Sequence, residues 1–136
     1  MIFSVNIKCK YKIKFKMMQN DKVAIRKSKI GGYGVFARKR FYPGDLIDES
    51  ICLVKPNALW DRATEDYVFC RGKLTALPLT GGAMFNHSTN PNARHELTGG
   101  MKVCRVIAVK KIDKDEEIFI SYGLEYFSSR DMKMNS

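Results

Sequence analysis

The 136-residue chain has no C-x-x-C pair, only two histidines, and four cysteines spread widely at Cys9, Cys52, Cys70 and Cys104. That spacing supports neither a zinc site nor a disulfide framework, so no metal is expected and the thiols should be buried and reduced. No apolar run approaches the roughly 18–20 residues that cross a bilayer, so no membrane partner is expected. The opening Met1-Ile2-Phe3-Ser4-Val5 lacks both leading charges and a small-residue cleavage site. This argues against secretion and for an intracellular protein. No G-x-G-x-x-G opens a helix after a strand, which excludes the usual dinucleotide fingerprint. Internal repeats are absent too.

What is present is a 45% hydrophobic chain with a formal charge of +10. Length and hydrophobic share suit one folded domain with its own core. The charge is uneven. Lys8, Lys10, Lys12, Lys14 and Lys16 supply five of the 24 basic residues before the first acid at Asp21, leaving 19 against 14 acidic residues. Residues 7–16 alternate Ile, Cys, Tyr, Ile and Phe with lysine, a period-two strand pattern. Three readings of this extension, residues 1–17, stand side by side. It is an added edge strand shielded by lysines, a basic arm in weak contact with DNA, or an incidental leader before Met17 and Met18.

The rest of the chain reads as many short strands. Val23 and Ile25 mark one; Ile30 to Ala37 is Gly-rich and hairpin-like. Phe41-Tyr42-Pro43-Gly44-Asp45 is a turn, because Pro presets one backbone angle and Gly relaxes the next. Leu46 to Val54 follows as a strand. Asn57 caps a predicted short helix over Ala58 to Thr64, and Tyr67-Val68-Phe69-Cys70 returns to β composition. Met101 to Val109 is a strong strand, with Val103, Arg105, Ile107 and Val109 on one side, and Glu117 to Gly123 is the last. The expectation is a mainly β domain of several small sheets with one or two short helices.

One stretch stands out: Met84-Phe85-Asn86-His87-Ser88-Thr89-Asn90-Pro91-Asn92. Asn-Pro-Asn is turn chemistry. An Asn-His-Ser cluster after two apolar residues delivers polar groups to an interior point, and taken alone a satisfied core histidine is the plainer account of it.

Three motifs occur in order: Gly32-Tyr33-Gly34-Val35-Phe36-Ala37, then Phe85-Asn86-His87-Ser88 with Asn90-Pro91-Asn92, then Glu116-Glu117-Ile118 through Ser121-Tyr122-Gly123. Together they resemble the SET domain of S-adenosylmethionine-dependent protein lysine methyltransferases, over roughly residues 22–127 within a domain drawn at 18–127. Residues 128–136 form a polar tail. The compact spacing is most similar to the minimal SET proteins of chloroviruses, which methylate histone tails. The resemblance implies a β-clip fold with a C-terminal pseudoknot that brings Asn86-His87 beside Tyr122. It implies S-adenosyl-L-methionine as cofactor and a lysine of the histone three tail, in an Ala-Arg-Lys-Ser context linked to silencing, as substrate. It also implies a homodimer, and a viral protein in the host nucleus or the virion. The binding alternative is an inactive SET-fold chromatin module; a third reading is methylation of a non-histone protein.

By that resemblance Tyr122 is the catalytic residue, and Tyr33, Tyr67 and Tyr126 line the lysine channel. Gly32, Tyr33, Gly34, Asn86, His87, Tyr122 and, more remotely, Arg71 would hold the cofactor. Most cellular members carry Cys after Asn-His-Ser and zinc-binding cysteines beyond the domain. Here Thr89 follows Ser88, so Tyr126 with Phe127 are the candidate lid. Glu65 and Asp66, directly before Tyr67, are the candidate partners for an arginine beside the target lysine; a solvated helix end explains them as well. His87 is not needed as a base, since setting geometry suffices.

Overall fold

The computed structural model describes residues 20–56, 61 and 64–123, with Glu65 and Asp66 described by backbone alone. The extension 1–17, the tail, most of the predicted helix Ala58–Thr64, and the lid candidates Tyr126 and Phe127 lie outside the described residues. Nine strands in two sheets make up the described part: β1 Val23–Lys27, β2 Tyr33–Ala37, β3 Leu46–Pro56, β4 Phe69–Arg71, β5 Leu74–Pro78, β6 Asn86–His87, β7 Ala93–Thr98, β8 Val103–Ala108 and β9 Glu117–Ile120. The helical content among the described residues is two 3-10 turns, Thr64–Tyr67 and Gly81–Ala83. The expected mainly β architecture of small sheets is what the chain adopts.

The first sheet has the order β1-β2-β9-β6 and the second β4-β5-β3-β8-β7. In the first, β1 and β2 form a hairpin with Val23 opposite Ala37 and Lys27 opposite Tyr33. Its loop is closed by the Ser28 N–H donating to the Gly32 carbonyl at 2.9 Å, with Gly31 and Gly32 at positive φ. Only glycine takes those angles at little cost. The last strand, β9, then enters between β2, which it pairs antiparallel, and β6, which it pairs parallel. A two-residue strand such as β6 has little pairing of its own. Its position therefore depends on β9 and on side-chain bonds described below.

Alternation explains the core. In β8, Cys104, Val106 and Ala108 are buried, so the face carrying Val103, Arg105 and Ile107 is the outer one. In β9, Ile118 and Ile120 point inward. They pack with Phe41, Ile47, Phe85, Val35 and Ile112 in the main core, against which Tyr122, Met84 and Phe69 lean. Each such side chain contributes about 1.5–3 kcal/mol by leaving water. A smaller cluster, Cys52, Ala76, Met101 and Cys104, sits inside the second sheet. Cys52 and Cys104 are free thiols there, and burial pushes the Cys104 thiol up to about 12, so it is inert at neutral pH.

The Pro43-Gly44 turn is tied to the end of β8: the Gly44 N–H donates to Ala108 O at 2.8 Å, and the Ala108 N–H to Asp45 O at 3.0 Å. A second knot fixes the approach to β6. The Ser50 hydroxyl donates to Asp48 Oδ2 (3.0 Å), lies 2.5 Å from Thr80 Oγ1, and accepts the Gly82 N–H at 3.1 Å. A side chain on Gly82 would meet Ser50 Oγ at 2.9 Å. The glycine thus lets the 3-10 turn before Met84 lie directly on β3.

Candidate active site

Phe85 is 1% exposed and serves as an anchor in the main core, placing the next two residues alongside β9. From there β6 runs beside the end of β9, with His87 opposite Ile120 and the Ser88 N–H donating to Ile120 O at 3.0 Å. The chain leaving β9 meets this motif twice. The Tyr122 N–H donates to His87 Nδ1 at 3.0 Å, and the Tyr122 hydroxyl donates to the Phe85 carbonyl at 2.6 Å. The two rings lie 5.3 Å apart, tilted by 47°. Residues 35 positions apart in sequence thereby become one unit.

His87 is buried, and burial lowers its pKa below 6.5. The geometry agrees. A nitrogen that accepts an N–H must carry a lone pair, so Nδ1 is unprotonated and the neutral ring carries its proton on Nε2. His87 is a spacer with one committed acceptor.

Asn86 faces the other way. Its Nδ2 donates to the Tyr33 carbonyl at 3.0 Å and to Glu117 Oε1 at 2.8 Å. Glu117 Oε2 in turn accepts the Ser28 hydroxyl at 2.8 Å. Gly34 is packed against this cluster: a Cβ there would lie 2.0 Å from Glu117 Oε1 and 2.8 Å from Asn86 Nδ2. Gly34 is therefore required by close approach. At Gly32, with φ +60°, nothing lies within 4 Å of an added Cβ, which leaves open space beside the backbone. Tyr33, between the two glycines, is 46% exposed.

The structure thus brings Gly34, Tyr33, Asn86, His87 and Tyr122 together around β2, β9 and β6. Tyr67 closes the 3-10 turn containing Glu65 and Asp66, and is half-buried. Arg71 lies in β4 at the edge of the second sheet, where its Nη2 donates to Leu97 O at 3.3 Å. Beside it the Phe69 ring stacks on His95 at 4.3 Å. Among the described residues, no three His, Cys, Asp or Glu gather as metal ligands, and no helix is long and apolar enough to cross a membrane.

Three residues were missed by sequence reasoning. Glu117 and Ser28 carry the Asn86 side chain. Asn92 is more than a turn residue: its Nδ2 donates to Glu117 O (2.9 Å) and its Oδ1 accepts the Phe119 N–H (2.8 Å). One side chain supplies the ladder bonds that the short β6 cannot. The signal available was the Glu116-Glu117 pair opening an otherwise apolar strand, where strand geometry puts the Glu117 carboxylate on the face shared with Phe119.

Both histidines are held below 6.5, His87 by burial and His95 by burial first and the charge of Arg71 second. The unfolded chain then takes up protons before the folded one. Their contribution to stability is complete above about pH 6.5 and is lost as pH falls through that value toward the folded pKa values. Urea unfolding should show a lower midpoint at pH 5.5 than at pH 7.5. A His87→Asn, His95→Gln double variant should show a flatter dependence over that window; equal slopes in the two proteins would refute the assignment.

A mainly β fold whose C-terminal strand is inserted beside an Asn-His motif, with a tyrosine bonded back to that motif, defines a class. A family model described as SET domain matches residues 32–123, and the chain belongs to this family. A solved structure from Plasmodium falciparum, a candidate histone methyltransferase, is 34% identical. The match covers 79% of this chain and 96% of that one, with a TM-score of 0.70. Comparison with curated proteins finds no significant match. Family and structural match together support protein lysine methyltransferase activity.

Proposed function

We propose that the chain is a histone lysine N-methyltransferase that takes its methyl group from S-adenosylmethionine and acts on the histone three tail, in an Ala-Arg-Lys-Ser context. The observation that carries this reading is the double tie between Tyr122 and the Phe85-Asn86-His87 segment. The donor set suits such a cofactor. The open side of Gly32 leaves room for a ligand against the main chain, and the Asn86 amide holds its nitrogen inward, leaving an oxygen for a cationic amine. Tyr33, Gly32, Gly34, Asn86 and His87 are the residues assigned to hold it. When bound, it supplies an electrophilic methyl on a positive sulfur.

The chain's own work is orientation. Displacement at a methyl group needs the amine in line, and holding it so supplies much of the acceleration. A lysine must first lose its proton, against an ordinary pKa of about 10.4. Desolvation beside aromatic rings and a positive neighbour disfavours the ammonium. Tyr122 fits the transfer point because its hydroxyl proton is committed to the Phe85 carbonyl. The phenolic oxygen then presents lone pairs, which suit an amine N–H or a polarised methyl, and it need not act as a base. Tyr33 and Tyr67 are assigned to the walls of the lysine channel, with Tyr126 completing it and Phe127 over the cofactor. Glu65 and Asp66 supply the anionic group that an arginine beside the target lysine requires. Similarity of the motifs to chlorovirus SET proteins supports a homodimer acting on host chromatin, in the nucleus or delivered by the virion.

Transfer of labelled methyl to recombinant histones and to histone three tail peptides tests the reading. Label should appear on a lysine of histone three and be lost when that lysine is replaced by arginine. Cofactor binding without transfer to any protein would favour a chromatin-binding module. Transfer to other proteins alone would leave the enzyme class intact and remove the histone assignment.

A further inference from the structure

The contacts around Asn86 allow only one orientation of its amide. Its two nearest polar neighbours, the Tyr33 carbonyl and the Glu117 carboxylate, are acceptors. The NH2 end must face them both, and the trigonal geometry of the amide turns Oδ1 to the opposite side. Were the Tyr33 carbonyl the sole partner, one bond would hold the group and the second amide hydrogen would need water. Glu117 removes that freedom, and Glu117 is itself fixed from behind: Ser28 Oγ donates to its other oxygen at 2.8 Å, and the backbone of Gly34 packs against it. Ser28 belongs to the loop that ends β1, Glu117 opens β9 and Asn86 opens β6. The relay therefore crosses the whole first sheet, whose order is β1-β2-β9-β6.

We propose that Glu117, clamped by Ser28, is a positioning residue that locks the Asn86 side chain with its oxygen toward the ligand, making Asn86 an acceptor selective for a cationic amine such as the amino-acid end of the cofactor. The inference rests on the methyltransferase reading and adds to it two residues which act only through a third. Asn86 with a fixed oxygen favours an ammonium; with a freely turning amide it would present NH2 part of the time and repel one. The carboxylate does not touch the reacting atoms, so its removal should raise the cofactor KM and leave kcat at saturation nearly unchanged.

The test is a double-mutant cycle read by calorimetric binding of S-adenosylmethionine and by steady-state kinetics. Glu117→Met removes the acceptor at similar length and should weaken cofactor affinity by about tenfold or more, with kcat within about threefold. Glu117→Gln keeps a carbonyl facing Asn86 and should restore affinity to within about threefold of the parent. In an Asn86→Ala background, Glu117→Met should cost no more than about twofold, because nothing is left to position. If it costs as much there as in the parent, or if Gln does not rescue, the proposal is overturned. Thermal unfolding of each variant separates loss of fold from loss of orientation. Should Glu117→Met not fold, Ser28→Ala replaces it in the cycle. It should weaken affinity by about twofold to threefold in the parent and not at all beside Asn86→Ala; additivity would again refute the relay. A folded parent protein that binds no S-adenosylmethionine would overturn the functional reading instead, a result the cycle cannot mimic.

Discussion

Tyr122→Phe should reduce methyl transfer at saturating cofactor and peptide by about a hundredfold or more, while cofactor affinity changes by less than about threefold. The reason is the placement of one oxygen. The Tyr122 ring is held by its packing on the main core, and its backbone N–H by His87 Nδ1; neither depends on the hydroxyl. The bond to the Phe85 carbonyl, at 2.6 Å, is lost. A single hydrogen bond of this kind is worth about 1 kcal/mol net, so the variant should fold and bind. What disappears is the polar group assigned to the transfer point. Single-turnover kinetics with binding measured separately checks this, and undiminished transfer by a folded variant would remove Tyr122 from the chemistry. Loss of both transfer and binding would instead show that the hydroxyl is structural.

The second large effect is expected at Gly34. Its φ lies outside the positive range, so alanine brings no backbone strain and the cost is steric. The new methyl would sit 2.0 Å from Glu117 Oε1 and 2.8 Å from Asn86 Nδ2, distances no atoms tolerate. Either the β2–β9 pairing opens or the Glu117 side chain swings out, abandoning Ser28 and Asn86. Overpacking of this kind costs about 1–3 kcal/mol. Cofactor affinity should fall by about tenfold or more, because the amide of Asn86 loses its second anchor. Denaturant unfolding together with calorimetric titration checks both. A Gly34→Ala protein with parental stability and parental affinity would show that the carboxylate has room to spare, and would weaken the case for a rigid clamp.

Much of this could be read from the chain itself. Val-, Ile- and Phe-rich composition marks Val103–Ala108 and Glu117–Ile120 as strands, and turn chemistry at Pro43-Gly44 and Gly99-Gly100 marks the starts of β3 and β8. The order of the three motifs carries the family in sequence alone. Alternation alone, however, does not say which of two faces is covered, and β8 buries Cys104, Val106 and Ala108. Turn chemistry likewise hid Asn92, because a residue that favours reversals locally was also needed as a ladder surrogate on β9.

The sequence by itself determined β1, β2, β3, β4, β8 and β9, the main turns and the residue types of the site, because each is a local matter of backbone preference and composition; β5, β6 and β7 carry no such local mark. Which residues meet was decided only by the tertiary structure. Ser28, Asn86 and Glu117 lie far apart in the chain and share no periodicity; they join because β9 is inserted between β2 and β6. A carboxylate at a strand start looks like solvated charge until the fold sets two donors against it. Hydrogen bonds act over about 3 Å, and nothing in a linear pattern reports distances through space.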